Sequence, residues 1–268
     1  MSSENNYLAI NKRSWNQRVE AHLKSAFYDL EGFLDGKSSL KEIELTLLGD
    51  IKGKKVLHLQ CHFGQDTLSL GRLGAQATGV DLSDKAIDTA RELSKKTGTE
   101  ATFICCDLYE LPEHLTGQFD IVFTSYGTIG WLPDLGRWAK VIAHFLKPGG
   151  KFVFAEFHPV VWMFDDDFEK IGYNYFNSGA IVETFTGTYA DRDAPMELEN
   201  VMWNHGIGEV VNSLLKNGLE IRSLEEFDYS PYDCFSHTVE VSSGKFRIRH
   251  LVNKIPMVYS VVAEKKPL

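Results

Sequence analysis

The sequence lacks several features that would place it in a specialised class of protein. No apolar run reaches the roughly 18 residues of a membrane-spanning helix, and the first ten residues, MSSENNYLAI, have neither the basic segment nor the apolar stretch of a secretory leader. We therefore expect a cytoplasmic protein with no membrane partner. Basic residues are also few. The sequence has 28 lysines and arginines and 37 aspartates and glutamates, which gives a net charge of −9. That balance argues against a nucleic-acid partner.

Cysteine is scarce, and its spacing fits neither a disulfide framework nor a metal site. The four cysteines include no C-x-x-C pair, and Cys105 and Cys106 are adjacent on a predicted strand, where they would face opposite sides. His58, Cys61 and His62 form a small group of potential ligands, but no second pair accompanies them. We expect no metal.

The stretch from Lys55 to Ser83 predicts a strand, a tight turn, a helix and a second strand that ends at Asp81. This arrangement is typical of a site for a nucleoside cofactor. Backbone N–H groups at the helix N-terminus face the ligand, and a carboxylate at the tip of the second strand accepts hydrogen bonds from two ribose hydroxyls. Asp81 follows the turn by the spacing of about 20 residues that such an acid requires.

Glycine is missing where a dinucleotide would need it. The dinucleotide fingerprint requires glycine at the first, third and sixth positions of the turn, and only Gly64 is present. A nicotinamide-dependent oxidoreductase on a similar sheet is therefore disfavoured, although the pattern alone leaves it open.

Later strands bring further polar residues to the same edge. The predicted third strand, 102–105, is followed by Asp107 and Leu108, and the predicted fourth strand, 118–125, ends at Ser125 and Tyr126. Ligands in open α/β sheets bind outside the carboxyl ends of the strands, so we expect these residues around one pocket.

These motifs, taken together, resemble those of the class I S-adenosylmethionine-dependent methyltransferases. The loop of that family reads hydrophobic–acid–hydrophobic–Gly–x–Gly–x–Gly. His58 stands where the family commonly has Asp, Gln60 and His62 stand at the first two glycines, and Gly64 matches the third. The most specific match is FLKPGGKFVFAEF, which is similar to the family's helix, turn and fifth strand. The resemblance covers residues 52–150 well and the chain from Asn204 onward more loosely.

The resemblance implies an α/β fold with a doubly wound, mostly parallel seven-stranded sheet, helices on both faces and an antiparallel final strand. It also implies S-adenosyl-L-methionine as the cofactor, with Asp107 at the adenine amino group and Leu108 against the ring. The implied reaction is methyl transfer by in-line displacement. The residues that we expect to bind the cofactor are Tyr28, Gln60, Cys61, His62, Gly64, Asp81, Leu82, Asp107, Leu108 and Ser125.

Catalysis of this kind rests mainly on proximity and orientation, because the sulfonium already activates the methyl group. A base is needed only if the acceptor must lose a proton, and His158, Tyr126 and His205 are then the candidates. His158, at the end of the predicted fifth strand, has an equally good interpretation as a rim histidine that bonds to the backbone. The acidic chain and its aromatic-rich cover favour a small-molecule acceptor.

Two segments lie outside the resemblance. Residues 1–50 predict a helical arm, in which Trp15, Val19, His22, Leu23 and Ala26 form one stripe and a second helix covers Leu40–Leu48. This arm is either a lid or a packing element. Residues 51–268 form the methyltransferase domain, with a β-rich insertion at 160–202 that we expect to cover the substrate.

A non-catalytic protein that binds S-adenosylmethionine or its product is the main alternative. Gln60 and His62 bring two large side chains into a loop that the cofactor normally approaches along bare backbone. Those side chains either contact the cofactor or point away from it.

Overall fold

The computed structural model describes residues 6–267, so the predicted start of the arm, residues 1–5, lies outside the described part. A seven-stranded sheet forms the centre of the molecule, in the order β3-β2-β1-β4-β5-β11-β8. The strands are β1 Lys55–Leu59, β2 Gln76–Asp81, β3 Thr102–Cys105, β4 Phe119–Ser125, β5 Leu146–Phe157, β6 Ile181–Thr186, β7 Glu197–Met202, β8 Leu219–Phe227, β9 Thr238–Ser242, β10 Lys245–Ile248 and β11 Val258–Lys265. The α-helices are α1 Tyr7–Lys24, α2 Leu30–Leu34, α3 Glu42–Leu48, α4 Gln65–Arg72, α5 Asp84–Thr97, α6 Leu111–His114, α7 Leu135–Phe145 and α8 Ile207–Lys216.

The predicted fold class is confirmed. Strands β1 to β5 pair in parallel, and β11 runs antiparallel between β5 and β8. The strand order reverses between β1 and β4, and the loops after these two strands diverge there. That divergence opens a crevice at the carboxyl ends, where ligands bind in sheets of this kind.

Successive side chains of the central strands point to opposite faces of the sheet, and both faces are buried. Val122 and Phe152 pack beneath α7 and α8 around the fully buried Trp138, whereas Ile121 and Val153 pack on the opposite face. Burial on both faces explains why these strands read as nearly continuous apolar runs in the sequence.

The segment Lys147–Gly150 differs from its prediction in detail. The resemblance implies a turn between a helix and the fifth strand here, but α7 already ends at Phe145, and Leu146 pairs with Phe119 of β4. Pairing then shifts and resumes between Ile121 and Lys151, so that 147–150 bulge out of the strand.

The arm is structurally continuous with the rest of the chain. Helix α1 crosses the carboxyl edge of the sheet and joins β7, where the Asn11 side chain forms two hydrogen bonds with the backbone of Val201, at 2.8 and 2.9 Å. Phe33 of the arm packs in the same apolar cluster as Leu68 and Ile87. No helix among residues 6–267 is long and apolar enough to cross a membrane.

The insertion contains one hairpin, in which β6 pairs with β7 across a loop at 187–196. The hairpin is the β structure that the composition of residues 160–202 predicts. A second hairpin, formed by β9 and β10, occupies the connection before β11.

Candidate active site

A cleft with a volume of about 820 Å³ lies at the carboxyl ends of β1, β2, β4 and β5. Helix α1 and the β6–β7 hairpin cover it, and residues 232–236 close one side. All ten residues predicted to bind the cofactor line this cleft, as do Tyr126 and His205. The structure thus brings the predicted residues together, while their contacts with a cofactor stay a prediction.

The loop after β1 keeps a backbone that favours glycine at three alternate positions. The φ angles are +55° at Gln60, +50° at His62 and +79° at Gly64. The Gln60 side chain extends to the rim and donates from Nε2 to the Thr128 carbonyl over 2.8 Å, and its Oε1 is buried without a partner. Gln60 therefore joins the β1 loop to the loop that follows β4.

The His62 ring points into the arm. Its Nε2 lies 2.9 Å from Nδ1 of His22, and its ring packs edge-on against Trp15 at a centroid distance of 5.1 Å. Burial lowers the pKa of His62 well below its usual value and that of His22 to about 3, so both rings are neutral at physiological pH. His62 thus ties the cofactor loop to α1.

Gly64 is required by packing as well as by its φ angle. A Cβ at this position would lie 2.7 Å from the Phe103 ring and 2.9 Å from Cβ of Ala90. Any larger residue would separate the start of α4 from α5 and β3.

Asp81 ends β2 with its carboxylate at the cleft. Oδ2 accepts a hydrogen bond from the His62 N–H over 2.8 Å, and Oδ1 accepts one from the Ser83 N–H over 2.9 Å. Burial raises the pKa of Asp81 to about 6, and these hydrogen bonds oppose the rise. Each oxygen keeps a lone pair for a further donor, as a pair of ribose hydroxyls requires.

Asp107 and Leu108 follow β3 at the neighbouring corner of the cleft. Asp107 accepts a hydrogen bond from the Tyr109 N–H over 3.1 Å, and burial raises the pKa of its carboxyl group. Leu108 is buried and contributes an apolar surface. Cys61 and Leu82 also line the cleft, and burial raises the pKa of the Cys61 thiol well above its usual value, so that its proton is retained.

A buried carboxylate that the sequence analysis missed holds the rim after β4. Glu156 accepts hydrogen bonds from the N–H groups of Gly127, Thr128, Ile129 and Phe157 and from the Thr128 hydroxyl. Its position at the end of β5, in the segment with the most specific family match, was the available signal.

Tyr126 lies on this rim, at φ +26°, and its hydroxyl donates to Oε2 of Glu44 over 2.8 Å. Burial, followed by the charge of Glu44, raises the pKa of Tyr126 well above its usual value. Tyr126 therefore retains its proton, which disfavours a role as base. Ser125 lies beside it, with Oγ 3.4 Å from Oδ2 of Asp66.

His158, one of the candidate bases, does not line the cleft. Its N–H donates to the Met257 carbonyl, next to the start of β11. Nε2 pairs with Glu226 over 2.8 Å, and Nδ1 accepts a hydrogen bond from the Val160 N–H. The alternative interpretation of a rim histidine that bonds to the backbone fits these contacts.

His205 lines the cleft, but both of its ring nitrogens lie beside protein oxygens. Nε2 is 2.8 Å from the Leu132 carbonyl, and Nδ1 is 3.0 Å from a carboxylate oxygen of Glu209. The ring is completely buried. This arrangement suits a residue that positions α8 better than one that exchanges protons.

Tyr28 belongs to an aromatic wall that the arm and the insertion build together. Its hydroxyl lies 2.5 Å from that of Tyr189, and its ring stacks on His22 at 5.0 Å. Sequence reasoning also missed several other residues of the cleft, since their partners lie far away along the chain. These residues are Arg18, Asp66, Trp131, Tyr189 and Tyr232.

Among residues 6–267, no three histidine, cysteine or acidic side chains converge on a site that could hold a metal ion. His58, one of the potential ligands in the sequence, instead bonds through Nδ1 to the Thr67 hydroxyl over 2.8 Å.

The reversed strand order, the three positive φ angles of the loop and the acids at the ends of β2 and β3 are features of a Rossmann-like fold whose crevice suits a nucleoside. The buried Asp81 carboxylate with its free lone pairs fits the ribose of such a ligand. A family model described as "Methyltransferase domain" matches residues 56–150. Residues 56–150 therefore match a methyltransferase domain, and this match together with the fold supports a class I S-adenosylmethionine-dependent methyltransferase, whose cofactor is S-adenosyl-L-methionine.

Curated relatives carry the name ubiquinone biosynthesis O-methyltransferase. The chain is 29% identical to the protein of Idiomarina loihiensis over 50% of its own length and 56% of the relative, so it spans about half of that protein. It is 26% identical to the protein of Xanthomonas euvesicatoria over 79% of its own length and 90% of the relative.

A solved S-adenosylmethionine-dependent methyltransferase from Mesorhizobium loti has the same fold. It superposes with a TM-score of 0.58 at 23% identity, over 87% of this chain and all of that one.

Proposed function

We propose that the chain transfers the methyl group of S-adenosylmethionine to a small molecule bound in the cleft. The observation that carries this proposal is the enclosure of the site. A volume of about 820 Å³ beneath α1 and the β6–β7 hairpin falls within the range of small-molecule pockets. A macromolecular acceptor would need a more open surface.

S-adenosylmethionine supplies, when bound, a methyl group that its sulfonium already activates. The residues of the chain hold and orient the reactants. Asp81 and the 60–64 loop would bind the nucleoside, and Asp107 with Leu108 would bind the adenine. Trp15, Trp131 and Tyr189 line the cover and would exclude water. Orientation within a closed site accounts for most of the rate enhancement expected for such a displacement.

We further propose that the acceptor atom is the oxygen of an aromatic hydroxyl. The names of the curated relatives support oxygen, and the aromatic wall supports a ring-bearing acceptor. Neither candidate base that lines the cleft is free, since the Tyr126 hydroxyl donates to Glu44 and the His205 ring is enclosed. A phenol, with a pKa of about 10, needs less assistance to lose its proton than an alcohol does.

The test is the release of S-adenosylhomocysteine with matched panels of phenols, anilines and thiophenols. Release with phenols alone is the expected result. Release with anilines or thiophenols but not with phenols would contradict the choice of oxygen. Tight binding of S-adenosylhomocysteine without turnover in any panel, or with protein acceptors, would favour the non-catalytic alternative.

Asp81→Ala should weaken the binding of S-adenosylhomocysteine by about 1–3 kcal/mol, roughly 5- to 150-fold, through the loss of charge-assisted hydrogen bonds. Titration calorimetry measures this effect. Asp88→Ala is the matched control, because Asp88 lies on α5 outside the cleft with 71% of its side chain exposed. Equal affinity of the Asp81→Ala and Asp88→Ala proteins for S-adenosylhomocysteine would show that Asp81 does not bind the cofactor.

A further inference from the structure

Arg18 is a buried cation on α1 that lines the cleft with only 6% of its surface exposed. Nη2 donates to Oδ1 of Asn200 over 3.1 Å, whereas Nε and Nη1 are buried with no hydrogen-bond acceptor. Within residues 6–267, no carboxylate oxygen lies within 4.0 Å of the guanidinium. A neutral amide is thus its one polar partner in the described chain.

Aromatic rings compensate this charge only in part. The guanidinium carbon lies 4.8 Å from the centroid of Trp15 and 5.3 Å from that of Trp131. Cation–π contacts of this kind offset some of the cost of desolvation. They do not satisfy the N–H donors, which lie in the plane of the guanidinium, and buried donors without acceptors are rare in folded proteins.

The neighbouring histidines do not share the positive charge. The charge of Arg18 contributes to the lowered pKa values of His22 and His62, which are therefore neutral. Burial lowers the pKa of Arg18 itself to about 10, so the guanidinium stays protonated at physiological pH. A fixed cation with free donors faces the cleft at this point.

We propose that Arg18 binds the carboxylate of a ligand within the cleft. The inference rests on the proposed function, because two carboxylates are then candidates: that of the amino-acid end of the cofactor, and one carried by the methyl acceptor. The planar N–H donors of a guanidinium match the two oxygens of a carboxylate. Asn200 and the two tryptophans hold the guanidinium in place, so that little side-chain freedom is lost on binding.

Arg18 and its hydrogen-bond partner Asn200 both lie outside residues 56–150, the segment that matches the methyltransferase domain. Arg18 lies on the arm and Asn200 on β7 of the insertion, and the Ser14 hydroxyl also donates to Asn200 Oδ1, over 2.6 Å. The shared amide oxygen connects two segments of the cover to the cation. A ligand carboxylate on Arg18 would therefore be bound by the cover itself.

The experiment compares benzoate with benzamide, its neutral isostere, on the full-length protein at constant ionic strength. Tryptophan fluorescence and the thermal midpoint are the readouts, because Trp15 and Trp131 contact the guanidinium. We expect the wild type to respond to benzoate and not to benzamide, and Arg18→Met to lose about tenfold or more in benzoate affinity.

Two further variants separate binding from folding. Arg13→Met is the matched control, since Arg13 lies on the same helix with 61% of its side chain exposed and pairs only with Glu199. It should keep the benzoate response. Arg18→Lys retains the charge without the planar donors and should bind benzoate with intermediate affinity. The proposal would be overturned if Arg18→Met retained the wild-type response to benzoate. It would also be overturned if benzoate and benzamide changed the fluorescence and thermal midpoint of the wild type equally.

A final titration identifies the source of the carboxylate. If saturation with S-adenosylhomocysteine abolishes the benzoate response, Arg18 holds the carboxylate of the cofactor. If the response persists, the acceptor supplies the acid. Both results support an anion site, and neither depends on turnover. Failure to release S-adenosylhomocysteine from S-adenosylmethionine would contradict the proposed catalysis while leaving the benzoate result intact.

Discussion

The protonation of Asp81 should control the pH dependence of cofactor binding. Its carboxyl group has a pKa of about 6 in the ligand-free protein, and ribose hydroxyls donate to the carboxylate form. The affinity for S-adenosylhomocysteine should therefore fall as the pH drops below about 6, by up to about tenfold per unit. Calorimetry between pH 5 and 8 measures this, and Asp81→Asn should show a flatter profile. Parallel profiles for both proteins would mean that another group controls the binding.

Glu44 should make the protein less stable as the pH rises. Burial, with the nearby charge of Asp66, raises the pKa of Glu44 from 4.5 to about 7. The folded state thus binds this proton more tightly than the unfolded state does. The contribution is complete below pH 4.5 and is lost as the pH rises through about 7, for a change of about 3 kcal/mol.

Urea unfolding of the wild type and of Glu44→Gln from pH 4 to 8 tests this expectation. Their difference in unfolding free energy should change across the window, whereas that between the wild type and Glu42→Gln should stay nearly constant. Glu42 lies on the same helix with 74% of its side chain exposed. A constant difference for Glu44→Gln would mean that Glu44 ionises normally.

At the scale of the element, the loop after β4 depends on one carboxylate. Glu156 is almost fully buried and accepts from four backbone N–H groups in the segments 127–129 and 157. Glu156→Gln would turn an amide NH₂ group toward these donors and leave some of them unpaired. We expect a loss of about 3 kcal/mol in unfolding free energy.

Chemical denaturation at neutral pH measures that loss. Glu225→Gln, at an exposed position of β8, should stay within about 0.5 kcal/mol of the wild type. Similar midpoints for the two variants would show that the loop does not depend on the Glu156 carboxylate.

The elements of the sheet could be predicted from sequence because their physical causes are local. Strands β1 to β5 are buried on both faces and read as short apolar runs. The Ser83 side chain caps α5 by accepting a hydrogen bond from the Ala86 N–H, three residues away. The cleft followed from topology, since parallel strands bring their carboxyl ends together.

Side-chain partners could not be predicted in the same way. Arg18 and Asn200 are 182 residues apart, and Tyr126 and Glu44 are 82 residues apart, so no local pattern links them. The position of the His158 side chain relative to the cleft could not be predicted either, because proximity to a strand end does not fix the direction in which a residue points. Its N–H bonds toward β11, whereas Glu156, two residues earlier, bonds toward the rim.

At the scale of the whole molecule, α1 and β7 close over the cleft through Asn11. Asn11→Ala would leave the N–H and C=O groups of Val201 without their partners. We expect a loss of about 1–2 kcal/mol in stability and faster dissociation of S-adenosylhomocysteine, measured by stopped-flow tryptophan fluorescence. Arg13→Ala, which removes only the exposed ion pair with Glu199, should change either quantity little. Unchanged dissociation in Asn11→Ala would show that ligands leave by another route.

The angles at Gln60, His62 and Gly64 have a consequence for how such loops are recognised. A pattern written in residue types finds one glycine of three, yet all three positions have positive φ. Left-handed backbone costs a side-chain-bearing residue about 1–2 kcal/mol, and contacts with Thr128 and His22 offset that cost here. The conformational requirement of this loop is thus better expressed as positive φ at three alternate positions than as residue types. Distant homologues whose loops have lost their glycines would be found by that criterion.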